Sequence, residues 1–494
     1  MQQETLEDQL RRSTRNFSQR LPEEDVFRLG VDLARELARA HGETPPRHPD
    51  LEPSAIALVS GKPRLEGGAG PGDAADELFE LGALLSALAS GIRADVSWRL
   101  DGPPAAEVST LKRRAALAAL ASPRKSGRIA TATDAVSALE AALAAAPAGA
   151  PTWALFRGDE ARTGTRPGPA PAALVSAWDA AVGSIVASPV LAAGLVIVPC
   201  LDGRLVFLDA VSGRCLHETR VGSAVESSPA VDDRTLHVGN DDGEIVGIDV
   251  VSGQERYRTK VGRLVRSSPL LAGNKLIAGV VDAKGTGQVV ALDMRSGKLS
   301  WGRRLGAVFS SPARAGGQVL LGSDDGSLHA LDPAKGTTVW SHVLGGKVRA
   351  TPAVAGEIAV AADFDGRVVA VRIKDGSRVW AQELGHTVYS SPCLAGGLCV
   401  FGCHDGHIHG LSLQDGQRRF EVQTRGPVVG SVVAAGDRFI VGSTDGDLYL
   451  LDSAGEVVQR LRLSPQGIQS SPAFDGAGLV VGSGTGLHAL RLQP

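Results

Sequence analysis

Seven prolines that each follow a serine or threonine recur along the C-terminal two thirds of this 494-residue chain. They lie at steps of 40, 40, 43, 40, 40 and 80 residues: Pro189, Pro229, Pro269, Pro312, Pro352, Pro392 and Pro472. The double step contains Val432, around which the same pattern continues without its proline. The chain therefore contains eight copies of one unit, and a fixed period of this length is typical of repeat folds rather than of one large core.

Each unit carries the pattern of four short β-strands. Apolar stretches such as "AAGDRFIVGS" are followed by an Asp-Gly pair, which reverses the chain because glycine tolerates positive φ. A second strand such as "DLYLLD", another turn and a further strand complete the unit. Four antiparallel strands per unit of about 40 residues predict a propeller blade, so the fold is expected to be mainly β and eight-bladed.

A large side chain occupies a fixed place in the fourth strand of most units. It is expected to fill the seam between neighbouring blades, where an aromatic ring buries a large area. The predicted seam aromatics are Trp178, Tyr257, Trp301, Trp340, Trp380 and Phe420. His217 and Gln459 stand at this place in two units, so weaker seams are expected there.

The order of the strands also predicts how the ring closes. Trp178 precedes the first serine-proline strand, and the last unit ends after its third strand. An N-terminal strand is therefore expected to complete the last blade and leave no open edge.

The repeat "SSPAV…VGNDDGEIVGIDVVSGQERY" resembles the pyrroloquinoline-quinone-type propeller repeat, over roughly residues 153 to 494. This resemblance implies the fold, and relatives include quinoprotein dehydrogenases and non-enzymatic scaffolds such as the outer-membrane assembly lipoprotein. The dehydrogenases use calcium, a catalytic aspartate and a vicinal disulfide over the quinone. Here no two cysteines are adjacent, and the propeller tryptophans lie only in the lead-in and at the seam position. No cofactor and no catalytic residue are therefore expected, with a quinone-dependent dehydrogenase as the alternative.

Residues 1–148 show helical periodicity instead. Val26, Leu29 and Leu33 share one face, and "DAADELFELGALLSALASG" and "TATDAVSALEAALAAA" repeat the pattern. The prediction is an N-terminal α-helical domain at 1–148, a linker and lead-in at 149–172, and the propeller at 173–494.

The segment "RHPDLEPSA" resembles the catalytic loop of bacterial Ser/Thr protein kinases. The kinase-motif positions are His48, Asp50, Leu51 and Pro53, with Ala55 in place of the metal-binding asparagine and Glu66 in place of the metal-binding aspartate. The resemblance implies a degenerate, truncated kinase C-lobe, since no phosphate loop or strand lysine precedes it. A chance match within a helical bundle and a kinase-related signalling protein are the alternatives.

One hairpin, "CVFGCHDGHIHG", collects side chains that suit zinc: Cys399, Cys403, His404, His407 and His409. The corresponding positions of sister units hold Ser323 and Ser327, or Thr444 and Asp447. Ordinary variation between blades is therefore the favoured interpretation, and no metal is expected.

Charge and hydropathy limit the remaining functions. The formal net charge of −3 argues against nucleic acid, and no apolar run of about 20 residues predicts a membrane span. The N-terminus lacks a secretory h-region and the cysteines are odd in number, so a cytoplasmic location is expected.

Basic side chains precede several serine-proline strands and are candidate partner-binding loops: Arg263, Arg266, Lys347, Arg349, His386 and Arg425. We expect a non-catalytic scaffold that binds a protein of unknown identity through these loops, with no small-molecule substrate. The other interpretation of these residues is a solvated rim.

Overall fold

The computed structural model describes residues 153–493, apart from 193, 233–234, 251–252, 283–284 and 475–477, and three short strands nearer the N-terminus. Those strands are β1 (Glu4–Thr5), β2 (Ile56–Val59) and β3 (Lys62–Leu65), and they form one antiparallel sheet in the order β1-β2-β3.

The prediction of an N-terminal α-helical domain is wrong, because the described part of residues 1–148 is β-sheet and no helix occurs among the described residues. The β-branched, apolar run Ile56–Val59 pairs with Lys62–Leu65 across a Ser-Gly pair, a local hairpin pattern that the helical periodicity around it obscured. The three segments with that periodicity, and all six kinase-motif residues, lie outside the described residues.

Eight sheets of β-strands follow, so the predicted mainly β, eight-bladed propeller is confirmed. Blades one to three comprise β6 (Val190–Ala192), β7 (Leu195–Pro199), β8 (Arg204–Asp209) and β9 (Cys215–Arg220); β10 (Ala230–Val231), β11 (Thr235–Gly239), β12 (Glu244–Asp249) and β13 (Glu255–Lys260); and β14 (Leu270–Ala272), β15 (Lys275–Val281), β16 (Thr286–Asp293) and β17 (Leu299–Gly306).

Blades four to six comprise β18 (Ala313–Ala315), β19 (Gln318–Gly322), β20 (Ser327–Leu331) and β21 (Thr338–Val343); β22 (Ala353–Ala355), β23 (Ile358–Ala362), β24 (Arg367–Arg372) and β25 (Arg378–Glu383); and β26 (Cys393–Ala395), β27 (Leu398–Gly402), β28 (His407–Ser412) and β29 (Arg418–Gln423). Blade seven comprises β30 (Val433–Ala435), β31 (Arg438–Gly442), β32 (Asp447–Leu451) and β33 (Val457–Arg462).

Blade eight joins both ends of the propeller. Its first three strands are β34 (Ala473–Phe474), β35 (Gly478–Gly482) and β36 (Leu487–Gln493). The fourth is β5 (Ala173–Ala180), which pairs antiparallel with β36 and places Trp178 opposite Ala489. The first strand of blade eight also contacts that of blade one, so the ring is closed.

The serine-proline motifs form a ring of hydrogen bonds that links successive blades around the propeller axis. We name the eight hydroxyl-bearing residues that precede the proline positions the serine ring: Ser188, Ser228, Ser268, Ser311, Thr351, Ser391, Ser431 and Ser471. Seven backbone N–H groups of this ring donate to the hydroxyl in the next blade at 2.9–3.1 Å. Ser431 supplies both the backbone N–H and the hydroxyl that the ring needs. Val432 can therefore replace the proline without loss of these hydrogen bonds.

Residues 153–166, here named the axial segment, run past the innermost strands of successive blades. Trp153 bridges to Leu191 of blade one, and Thr163 accepts a 3.2 Å hydrogen bond from the backbone of Leu394 in blade six. The segment ends in β4 (Thr165–Arg166), which pairs in parallel with β30 of blade seven. Since the innermost strands surround the propeller axis, this segment lies on the inner side of the ring.

Candidate interaction surface

Two arginines anchor the axial segment. Arg157 and Arg162 are 1% and 0% exposed and both adopt positive φ, of 62° and 57°. Arg162 donates to the carbonyls of Pro312 and Pro269 at 2.9 and 2.8 Å, in two different blades. Burial lowers the pKa of Arg162 to about 10, against the carboxylate of Asp159, which raises it. The segment is therefore fixed by forked donors that satisfy main-chain carbonyls inside the ring.

Arg157 holds the other side of the axial segment. Its guanidinium donates to the carbonyls of Ser391 and Pro392 at 3.1 and 2.6 Å, and to the carbonyl of Arg162 at 2.8 Å. The pKa of Arg157 is lowered by burial. Arg157 thus ties the axial segment to the start of blade six.

The predicted seam aromatics lie apart from one another, each at its own seam. Trp340 illustrates the geometry: its indole N–H donates to the carbonyl of Ile373 in blade five at 2.9 Å. Its ring lies so close to Gly376 that a Cβ there would be 2.5 Å from the ring. Four other seam aromatics lie in the same way against Gly213, Gly297, Gly336 and Gly416, and Phe420 lies against Gly455. These positive-φ glycines are needed both for the turn and for the ring above them.

The loops with the predicted basic residues all lie on the face that carries the Asp-Gly turns. Arg263, Lys347, His386 and Arg425 are exposed there, whereas Arg266 is partly buried and donates to both oxygens of Asp241 at 2.9 and 2.7 Å. Hydrogen bonds to Asp241 raise the pKa of Arg266. The exposed members remain predictions for partner contact, and the structure gives Arg266 a structural ion pair.

Arg349 is the centre of a cluster that sequence reasoning recognised only in part. It donates to both oxygens of Asp324, at 2.8 and 2.7 Å, and this pairing raises its pKa. Its guanidinium lies 4.0 Å from the ring centroid of Phe309 and 5.1 Å from that of Phe364. A planar cation between two rings is held in one orientation before any partner arrives.

The cluster continues across blade six. The rings of Phe364 and Tyr389 are 4.3 Å apart, and those of Tyr389 and His404 are 5.2 Å apart. Tyr389 is 40% exposed. We name Phe309, Arg349, Phe364, Tyr389 and His404 the mouth patch, because three of them lie two residues before the serine ring at the end of the axis.

Backbone hydrogen bonds hold the mouth patch in place. The N–H of Phe364 donates to the carbonyl of Lys347 at 3.0 Å, and the N–H of His404 donates to that of Thr387 at 3.0 Å. The three aromatic rings of the patch were not predicted from the sequence. Their positions in the repeat could have indicated them. Phe309 and Tyr389 precede the serine ring and Phe364 precedes an Asp-Gly turn, and the other blades carry polar or aliphatic residues at these positions.

A pocket of about 570 Å³ opens next to the mouth patch. Its walls come from the Asp-Gly turn of blade six and the loop after β29: His404, Asp405, Gly406, Gln423, Thr424, Arg425, Gly426 and Pro427. It brings the exposed Arg425 and His404 to the rim of one depression.

The fold brings together part of the zinc-type residues. Cys399 is buried between strands, and burial raises the pKa of the thiols of Cys399 and Cys403, the latter to about 12. Cys403, Asp405 and His409 do converge, as do Asp405, His407 and Glu421.

Residues 132–311 and 285–493 match the family model described as outer membrane protein assembly factor BamB. The chain belongs to this family. No curated protein matches it.

Solved structures share the fold of this BamB-family chain. BamB from Moraxella catarrhalis is 19% identical with a TM-score of 0.57, over 65% of this chain and 100% of that one. The quinohemoprotein alcohol dehydrogenase from Comamonas testosteroni is 15% identical with a TM-score of 0.60, over 70% and 82%. The computationally designed Ika8 protein is 18% identical with a TM-score of 0.56, over 64% and 98%. At these identities the likeness shows the fold alone.

The quinone alternative depends on the positions of the cysteines and tryptophans. Cys393, Cys399 and Cys403 are buried thiols, and no two cysteines of the chain are adjacent. The propeller tryptophans lie at seams, except Trp153, whose ring packs 4.8 Å from that of Phe474.

The part of the chain that the structure describes contains no helix with the length and hydropathy of a membrane span.

Proposed function

We propose that this protein is a non-catalytic scaffold that binds a protein partner at the mouth patch. The observation that carries the proposal is the ordered Arg349, stacked between Phe309 and Phe364, beside the exposed ring of Tyr389. Arginine and tyrosine are enriched among the residues that dominate protein–protein binding energies. Because Arg349 is already held by Asp324, little side-chain entropy is lost when a partner binds.

The expected partner is an acidic polypeptide segment with apolar side chains. Lys347, His386 and Arg425 are exposed on the same face as the patch, and their charges favour an acidic segment. The rings of Phe364 and Tyr389 offer apolar area for its side chains.

The same proposal disfavours a quinone-dependent dehydrogenase. Arg157 and Arg162 bond carbonyls on the inner side of the ring, Cys393, Cys399 and Cys403 are buried, and the tryptophans of the fourth strands pack at blade seams. We further propose that the protein acts in the cytoplasm, where the buried thiols of Cys393, Cys399 and Cys403 remain reduced. Fractionation of the source cells tests this location.

Site-specific photo-crosslinking tests the scaffold. A photoreactive phenylalanine at position 389 is expected to form a covalent adduct with one protein in the source cells. The matched control is the same residue at Val211, which is 71% exposed on a turn of the opposite face. The adduct from position 389 should disappear with Arg349→Ser and with an added acidic peptide mapped from that adduct. Equal labelling from both positions would contradict the proposal.

A second assay separates the enzymatic alternatives. Purified protein with Ca²⁺ and pyrroloquinoline quinone should not reduce an electron-accepting dye with alcohols, and with Mg²⁺–ATP it should not transfer phosphate. Quinone-dependent dye reduction would replace the scaffold by a dehydrogenase, and phosphotransfer would support the kinase-related signalling alternative.

A further inference from the structure

Four side chains with metal-ligating atoms meet at the outer half of blade six. Asp405 lies in the Asp-Gly turn, and His407 and His409 lie on the same face of β28 because they are two residues apart. Glu421 on the neighbouring strand β29 stands directly opposite His409 in the register. The hairpin thus places two carboxylates and two imidazoles on one face.

The distances within this cluster are short. Nδ1 of His407 lies 3.4 Å from Oδ1 of Asp405, and Nδ1 of His409 lies 3.7 Å from Oε1 of Glu421. Asp405, His407 and Glu421 each offer a ligand atom within 4.8 Å of the other two. Arg418 pairs with the second oxygen of Glu421 at 2.6 Å, so Oε1 faces the histidines.

The two histidines have an unusual hydrogen-bonding state. Nδ1 of His407 and Nδ1 of His409 are both buried atoms without a hydrogen bond. A buried nitrogen without a hydrogen bond is unfavourable, so its retention requires a reason. The side chain of Glu421 is 35% exposed, which leaves a route from solvent to the cluster.

Blade four provides an internal comparison. There the histidine at the corresponding position, His329, contacts Asp325 through Nε2 at 3.0 Å and bonds the hydroxyl of Ser341 through Nδ1 at 2.8 Å. Ser341 corresponds to Glu421, and Ser327 corresponds to His407. Blade six has therefore replaced the two serines by ligand types, and one replacement removes the hydroxyl that satisfies the histidine.

We propose that Asp405, His407 and Glu421 bind a divalent transition-metal ion of the zinc type. One imidazole nitrogen with two carboxylates favours such an ion over Mg²⁺ or Ca²⁺, which prefer ligand sets made of oxygen. Nε2 of His409 lies 3.2 Å from Asp405, so His409 orients that carboxylate as metal-site neighbours commonly do. Three protein ligands leave a coordination position open to water or to a partner's side chain.

Cobalt titration of the purified full-length chain, after removal of metal by a chelator, tests the proposal. One Co²⁺ per chain should bind with visible absorption of a low-symmetry site, and Zn²⁺ should displace it. His407→Ala and Glu421→Gln should each weaken binding at least tenfold, whereas His329→Gln in blade four should leave it unchanged.

A double variant separates metal binding from folding. His407→Ser with Glu421→Ser recreates the blade-four pattern, so this chain should fold as well as the parent and bind no Co²⁺. A parent without stoichiometric binding would overturn the site, and so would unchanged affinity in the folded double variant. A strong thiolate-to-cobalt band that Cys403→Ser removes would overturn the assigned ligand set.

Discussion

Two of the blade seams in this ring are built differently. At the seam between blades four and five, Trp340 lies flat on Gly376 and donates its indole N–H to the turn that contains this glycine. At the seam between blades seven and eight, Gln459 exchanges two hydrogen bonds, of 2.7 and 3.0 Å, with the backbone of Leu174 in β5.

The topology of the closing blade explains the difference. The aromatic side chains pack on the turn between the third and fourth strands of the next blade. In blade eight those strands, β36 and β5, come from distant parts of the chain, so no such turn joins them. At this seam the amide of Gln459, which bonds the backbone of β5, replaces the aromatic side chain. The residue type at a seam therefore depends on the surface of the next blade and not on the repeat alone.

The largest expected effect is at an aromatic seam. Trp340→Ala removes a buried ring and its hydrogen bond, and should lower the free energy of unfolding by about 3–5 kcal/mol. Urea denaturation followed by circular dichroism measures it. Val339→Ala, at a position that is 51% exposed, is the control and should change stability little. Similar losses in both variants would mean that the ring does not hold the seam.

The axial segment should come next. Arg162→Leu removes the side-chain donor from the carbonyls of Pro312, Pro269 and Phe156, and should cost about 2–4 kcal/mol in the free energy of unfolding. Arg162→Lys should recover little, because an ammonium group cannot present the planar fork. Full recovery by lysine in the same denaturation assay would show that charge, not fork geometry, holds the segment.

Loss of the glutamine at the closing seam should lower stability less than loss of a seam aromatic. Substitutions of Gln459 also distinguish the two types of seam. Gln459→Leu breaks both bonds to Leu174 and should lower the free energy of unfolding by about 1–3 kcal/mol. Gln459→Trp should give no gain, because blade eight offers no glycine turn to its ring. A rise in melting temperature with tryptophan would contradict the topological explanation.

The smallest effect concerns the thiols. Burial raises the pKa of Cys393 to about 12 and that of Cys403 to about 12, whereas an unfolded thiol ionises near pH 8.5. The unfolded chain then releases protons first, so these thiols make stability fall as the pH rises from about 8.5 towards 12. At pH 8 both should react with a thiol reagent only after unfolding, in the parent and in Gln459→Leu alike. Fast native labelling in that variant would show that the weak seam opens locally.

The sequence alone determined the repeat and its consequences. The proline period gave the number of blades, the Asp-Gly pairs marked the turns, and the place of Trp178 ahead of the first unit indicated the closing strand. These features are local or periodic, and each blade must present the same apolar faces to its neighbours. The N-terminal helical domain failed because amphipathic periodicity was extended over a hairpin at 56–65.

Only the tertiary structure decided what lies at the axis and on the faces. Arg157 and Arg162 donate hydrogen bonds to carbonyls more than 100 residues away, and no motif spacing in the sequence predicts such partners. Phe309 and Arg349 lie in the equivalent loops before β18 and β22, Phe364 lies in the Asp-Gly turn of blade five, and the ring brings these segments together. The cluster of His407 and Glu421 likewise depends on the pairing of β28 with β29, because it combines side chains from both strands.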